Sequence, residues 1–296
     1  MPTLIHLTSP APTAITPGWA GIGSCSLPVA AGSPAALLDA HALVLTIAGP
    51  LHAEVDFASH TCEPGTLLWL RPGQAARFEA ATAEDPASTI TFRPGLFGPD
   101  ELPGLAPDDP TGPAQTPLAL PDPGTFRAAF EHLARDTAEA AEKAAEKKAL
   151  LRHELAALLL RIALLAPGTP PDGHVEARTF ERFRRRLEEG YPHTRRVEDY
   201  AAELGCSVRT LTRASLALTG RTAKQVVDDR VALQARRLLA ATPLSVAEVG
   251  RSLGFGEPTN FGRFFHRETG LSPGQFRAQF SVDRPGGIPG QRPPTD

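Results

Sequence analysis

Cysteine is scarce in this 296-residue chain: Cys25, Cys62 and Cys206 are an odd number with no metal-like pairing. That excludes a disulfide framework, and the three are read as free thiols. Redox sensing by one of them stands as the alternative to plain packing. No run of 18 or more uncharged apolar residues occurs, so no membrane-spanning helix and no membrane partner are expected. The opening MPTLIHLTSPAPT lacks the basic-then-apolar order of a signal peptide, which gives the expectation of a cytoplasmic protein. Lysine is also rare, 4 residues against 26 arginines. That bias suits bidentate recognition of phosphate and guanine, and a GC-rich genome would produce it equally.

What is present is a globular composition, 42% hydrophobic, long enough for two domains. The net charge of −3 hides an asymmetry. Residues 174–281 hold 18 Arg or Lys against 12 Asp or Glu, a surplus of +6, and the remainder carries −9. A basic module joined to an acidic one points to a polyanionic partner for the first, although charge alone does not separate this from a solvated face.

Up to about residue 120 the chain consists of short β-like runs between Pro and Gly: HALVLTIAG, HAEVDFA, GTLLWLRPG, ARFEA and STITFRPG. Ala53, Val55 and Phe57 alternate with Glu54 and Asp56, the pattern of a half-buried strand. Many short strands with tight turns suggest a small barrel or sandwich. Gly98 to Pro123 is dense in Pro, Gly and Asp and reads as a loop. Helical spacing follows at Phe126, Phe130 and Leu133, then in EAAEKAAEKKALLRHELAALLLRIALLA. Leu151, Leu155, Leu158, Ile162 and Leu165 form one stripe, widened by Leu150, Leu159, Leu160 and Leu164. Such a helix packs on two sides, against its own domain and against a second copy, or is wholly intramolecular.

The basic half contains a repeat. VEDYAAELGCSVRTLTRASLALTGRTAKQV is followed by SVAEVGRSLGFGEPTNFGRFFHRETGLSPGQF, with the turn glycines Gly205 and Gly254 49 residues apart. Each unit reads as helix, glycine turn, helix, then a hydroxyl residue placed to cap another helix, and a helix near Ala223 to Ala240 joins them. In the first unit Val197, Ala201 and Leu204 form an inner stripe. Val208, Leu211, Ser215 and Leu218 point one way on the next helix, and Arg209 and Arg213 the other. In the second unit Phe261, Phe264 and Phe265 cluster on one side, Thr259 and Arg263 lie opposite, Asn260 is at the flank, and Pro258 stands near the start. The phenylalanines are core and the polar residues display. Early positions of a recognition helix reach base edges in a major groove: Arg can pair with guanine, Asn with adenine, and Thr with either polar edges or the thymine methyl. Arg236 and Arg237 on the joining helix suit phosphate contact or packing better than base reading.

These residues, especially RVALQARRLL, SVAEVGRSLGF and EPTNFGRFFHRETGLSP with the final Phe276 and Arg277, resemble the AraC/XylS family of bacterial transcription regulators over roughly Phe180 to Phe280. The resemblance implies an all-α DNA-binding domain with two helix-turn-helix units joined by a linker helix, entering two successive major grooves of double-stranded DNA about 34 Å apart. Positions matching the family's base-contacting ones are Arg209, Thr212 and Arg213, then Pro258, Thr259, Asn260 and Arg263. Ser207, Thr222 and Ser272 are the candidates for DNA phosphate. The family commonly has an aromatic where this chain has Ser215; Leu216 and Leu218 are expected to compensate.

The N-terminal half resembles the cupin-like effector domain of such regulators, which implies a β-barrel with a small-molecule pocket and a helical dimerisation segment. The expected division is a cupin-like effector-sensing domain at 1–122, the dimerisation segment at 123–166, a linker at 167–173, an AraC-type DNA-binding domain at 174–281 and a disordered tail at 282–296. Cupin enzymes bind metal through a close histidine pair and a glutamate, a spacing absent here. His41, His52, Glu54 and His60 are the only candidates and read as surface or core residues, so no metal, cofactor or catalytic residue is expected. The expected protein is a DNA-binding regulator and homodimer governed by a small-molecule effector, with RNA polymerase as a candidate further partner. A cupin-fold enzyme fused to a DNA-binding module is the alternative.

Overall fold

The structure is a computed structural model and describes residues 18–27, 34–80, 86–109, 117–138, 144–165 and 175–280. The expected linker at 167–173 and tail at 282–296 lie outside the described residues.

The first half is β-rich. Strands β1 (Ile22–Cys25), β8 (Ala87–Phe92), β3 (His41–Thr46), β6 (Thr66–Leu70) and β9 (Leu118–Ala119) form one sheet in that order. β2 (Ala36–Leu37), β7 (Ala75–Ala80), β4 (Leu51–Val55) and β5 (Ala58–Cys62) form the second. Every described pairing is antiparallel and stays within one sheet, so this half is a two-sheet sandwich.

Strand alternation divides its core in two. Ala42, Val44, Leu68 and Leu70 of the first sheet face Leu51, Ala53, Val55 and Phe78 of the second. On the other face of the first sheet, Leu43, Leu45, Leu67 and Ile90 pack against α1 (Pro123–Ala138) and α2 (Ala144–Leu165). Phe126, Phe130 and Leu133 are buried on α1, and Leu151, Leu155, Leu158, Leu159 and Ile162 on α2. Leu150 and Leu164 face outward at 48% and 85% exposure. Of the Gly98–Pro123 segment, read as a loop from its sequence, the described residues hold β9 and, at Pro123, the start of α1 and are otherwise irregular; they add Leu102, Leu105 and Leu120 to the core.

One strand ends earlier than its alternation predicts. β4 stops at Val55, and Asp56 and Phe57 form the turn to β5 with φ of 50° and 70°. Left-handed backbone costs a non-glycine residue roughly 1–2 kcal/mol, so these two positions are held by other contacts. Gln74 Nε2 and the Ala75 amide both donate to the Asp56 carboxylate, at 2.8 and 3.2 Å.

The second half is helical: α3 (Val175–Gly190), α4 (Val197–Glu203), α5 (Val208–Thr219), α6 (Ala223–Ala241), α7 (Val246–Ser252), α8 (Pro258–Thr269) and α9 (Pro273–Phe280). Two cores fill it. Phe183, Leu187, Tyr200, Leu211 and Val227 centre the first, and Val231, Leu239, Phe255, Phe261, Phe265 and Phe276 the second. Each fully buried large side chain among them stabilises the fold by about 1.5–3 kcal/mol. Among the described residues the halves meet where the Asp56–Phe57 turn lies on Arg236 and Arg237 of α6 and on Phe276 and Phe280 of α9, and again where Arg185 of α3 pairs with Asp109 at 2.8 Å.

Candidate nucleic-acid interface

Both repeats are helix-turn-helix units, α4 with α5 and α7 with α8. Gly205 and Gly254 make the turns at φ of +66° and +74°, where a β-carbon would be strained. At Gly250 the ring of Phe261 comes to 3.1 Å of where a β-carbon would stand, so α7 and α8 touch backbone to aromatic.

The second recognition helix is built as its sequence predicts. Pro258 opens α8, Glu257 precedes it in extended conformation, and Phe261, Phe264 and Phe265 are buried. Pro258, Thr259, Asn260 and Arg263 are all exposed, on the first two turns of one helix. No hydrogen bond or ion pair within the protein engages the Asn260 or Arg263 side chain among the described residues, which leaves their polar groups available to an external partner.

The first helix is less regular. Arg209 and Arg213 are exposed and Thr212 is half-buried. Arg213 reaches back to Glu176 at the start of α3, 3.3 Å away. Leu211, Ala214 and Ser215 are the buried positions of α5, while Val208 and Leu218 are exposed at 38% and 48%, contrary to the helical-wheel reading. Nor do Leu216 and Leu218 compensate for Ser215, since both face outward. Ser215 is accommodated differently: its hydroxyl donates to the Leu211 carbonyl at 2.9 Å, so the buried polar atom is satisfied inside its own helix.

Ser207, Thr222 and Ser272 each accept a hydrogen bond from the backbone amide three residues on, at 3.1, 3.3 and 3.2 Å. Thr222 completes a capping box with Gln225. Their hydroxyls therefore serve first as helix caps. Arg236 and Arg237 belong to packing. Arg237 is buried against Asp56, and the Arg236 guanidinium lies 4.2 Å over the Phe57 ring.

The histidines and the glutamate weighed as metal ligands are scattered. Buried His41 on β3 is 2.8 Å from Asp108 and stacks on Phe92, whereas His52, Glu54 and His60 lie on the β4–β5 hairpin. Glu54 is paired with Arg77 at 2.7 Å. Among the described residues no group of three or more His, Cys, Asp or Glu is placed to hold a metal ion. Burial pushes the Cys25 and Cys62 thiols up, which disfavours the reactive thiolate. Among the described residues no helix is long and apolar enough to cross a membrane.

Two features escaped sequence reading: the Asp56–Arg237 pair and the Glu176–Arg213 pair. Their partners are 181 and 37 residues apart in the chain, and neither carries a local pattern.

Residues 200–279 match the helix-turn-helix domain family, and residues 33–160 match the AraC-like ligand binding domain family. The HTH-type transcriptional activator RhaR of Salmonella typhi is 38% identical over 81 residues, which is 27% of this chain and 29% of that relative. The chain thus spans less than a third of the length of the curated relatives it matches. The DNA-binding domain of AdpA, solved in complex with a target DNA, is 37% identical and is covered over 90% of its length by 34% of this chain, with a TM-score of 0.30. ToxT of Vibrio cholerae O395 aligns with 88% of this chain and 98% of its own at 10% identity and a TM-score of 0.48.

Proposed function

We propose that the chain, whose two parts match the helix-turn-helix domain family and the AraC-like ligand binding domain family, is a transcription regulator of the AraC/XylS type that reads double-stranded DNA with α5 and α8 in successive major grooves. Base edges are contacted by Arg209, Thr212 and Arg213 from α5, and by Pro258, Thr259, Asn260 and Arg263 from α8. Phosphates are met at the helix starts capped by Ser207, Thr222 and Ser272, where unpaired backbone amides favour an anion. The carrying observation is the two-sidedness of α8: three phenylalanines sealed inward, and Thr259, Asn260 and Arg263 all exposed.

The proposed division is an effector-sensing part at 1–122, a dimerisation segment at 123–166, a linker at 167–173 and the DNA-binding part at 174–281. The outward Leu150 and Leu164 of α2 support a homodimer through that helix. A small molecule bound by the N-terminal domain governs the protein by preferring one domain arrangement over another, since equal affinity for both shifts nothing. The activity is binding, without a catalytic step, and it is exercised in the cytoplasm; RNA polymerase is the proposed further partner.

The test is selection from a random duplex library with the full-length protein, followed by affinity measurement over a salt series. Enrichment of one sequence motif, with affinity falling linearly in log–log form against salt, is the expected result. No enrichment, with equal binding to every duplex, would overturn the reading.

A further inference from the structure

The two units are joined by more than α6. The segment between α3 and α4, Tyr191 to Arg196, lies against both. Tyr191 packs on the first core and on the second. The Arg230 guanidinium of α6 covers the Tyr191 ring at 3.9 Å, and its Nε donates to both Glu188 oxygens of α3 at 2.8 Å. Four residues on, the Arg195 guanidinium sits 3.6 Å from the centroid of Phe255, the residue directly after the Gly254 turn. Phe255 in turn touches Phe261 and Phe264 of α8, at 5.3 and 5.1 Å between ring centroids. A β-carbon on Gly254 would come within 3.2 Å of the Pro192 carbonyl oxygen, so the second turn rests on this segment.

The segment is itself rigidly held. Thr194 gives its hydroxyl to Asp199, and its carbonyl accepts the Tyr200 hydroxyl at 2.9 Å. Its amide and that of His193 both donate to the Gly190 carbonyl, at 3.1 and 2.9 Å. Gly190 has room for nothing larger, because Tyr200 lies 2.9 Å from where a β-carbon would be. A chain of contacts therefore runs from the first core through Tyr200, Thr194, Arg195 and Phe255 to α8, without passing through α6.

A single helix as bridge would leave α5 and α8 free to bend and twist about it. Two separated connections remove that freedom. We propose that the Tyr191–Arg196 segment is a second bridge whose Arg195–Phe255 and Tyr191–Arg230 contacts set the distance and rotation between α5 and α8. They thereby set the spacing of the two DNA subsites the chain accepts. This rests on the DNA-binding reading above and deepens it: Arg195 and Tyr191 touch no base, and act as positioning residues for those that do. One inserted base pair rotates the second subsite by about 35° and moves it about 3.4 Å, a mismatch that a doubly bridged pair of helices must reject.

Two measurements on the full-length protein test this. In the first, the duplex selected by the wild-type chain is compared with versions carrying one base pair inserted or deleted between subsites. For Arg195→Ala the preference for native over altered spacing shrinks by about fivefold, in the range a guanidinium–arene contact supplies. Arg195→Lys is expected to retain part of it. Equal loss of affinity for native and altered duplexes would mean that Arg195 only supports folding, and would overturn the proposal. The second measurement needs no DNA. Nitroxide labels at Ala217→Cys on α5 and His266→Cys on α8, in a chain carrying Cys25→Ser, Cys62→Ser and Cys206→Ser, report the interhelical distance distribution. Arg195→Ala and Tyr191→Ala should broaden it, and an unchanged width in both variants overturns the second bridge. Failure of the wild-type chain to select any duplex, with broadening intact, strikes the DNA reading and leaves the bridge standing.

Discussion

Arg237 grips Asp56 with two parallel hydrogen bonds, Nε to Oδ1 at 2.7 Å and Nη2 to Oδ2 at 2.6 Å, across the boundary between the β-rich and helical halves. Both side chains are about nine-tenths buried. A pair of this kind is costly to break from one side, because the surviving charge is left without water or partner.

Asp56→Asn is the informative variant, since asparagine tolerates the left-handed backbone at this position and keeps the side chain's size while removing the charge and turning one of the two accepting oxygens into a donor. The expected loss is about 3 kcal/mol, and adding Arg237→Met should restore a substantial part of it. Denaturant unfolding of the single and double variants measures this. Additive losses would show that the two residues are not coupled.

Arg263→Ala should weaken binding to the selected duplex by about 1–3 kcal/mol and relax preference at one base pair, with scrambled duplex little affected. Equal loss on both duplexes would assign Arg263 to phosphate instead.

On the proposed reading Glu176 competes with DNA for Arg213. The Arg213 side chain is largely exposed, so release of the pair is worth at most about 1 kcal/mol. Glu176→Gln should raise DNA affinity by up to about fivefold at low salt, with the gain disappearing as salt is raised. An affinity unchanged at every salt concentration would remove Arg213 from the interface.

His41 makes the β-rich half sensitive to acid. Burial lowers its pKa, opposed by Asp108 and reinforced by Arg71. The unfolded imidazole therefore takes up a proton before the folded one does, so stability is full above the unfolded value of about 6.5 and declines as pH falls below it. Thermal unfolding between pH 7.5 and 5 should show this decline, and His41→Phe should flatten it. A slope unaffected by the substitution would place the acid sensitivity elsewhere.

Leu164 tests the proposed dimer. Leu164→Asp should shift the sedimentation of the chain toward monomer while changing unfolding free energy by no more than about 0.5 kcal/mol, as for other surface positions. Unaltered sedimentation would remove this face of α2 from the dimer contact.

Several of these features were legible in the sequence because they obey a local period. The α8 phenylalanines, the Phe126, Phe130 and Leu133 face of α1, the cap hydroxyls and the turn glycines all follow from spacing and backbone preference. Where a tertiary neighbour decides, the period misleads. Phe57 continues the alternation of Ala53 and Val55, yet it stands on a turn and packs on Phe276 and Phe280 of the helical half. On α5 the buried face falls on Ala214 and Ser215 because α3 lies closely along that helix, and a wheel weighted by hydrophobicity favours the larger Val208 and Leu218. Arg236 and Arg237 are adjacent and identical in type, so nothing local says that one is sealed against Asp56 and its neighbour rests on an arene.

Among the described residues the β-rich half rests on the helical half at two separated footings: Asp109 on Arg185 of α3, and the Asp56–Phe57 turn on α6 and α9. An object standing on two feet cannot tilt without unloading one of them. On the proposed reading, an effector that reorients this half perturbs α3 beside α5 and the joining helix α6 within a single motion. The response it elicits should be concerted, with occupancy of the two grooves rising and falling together.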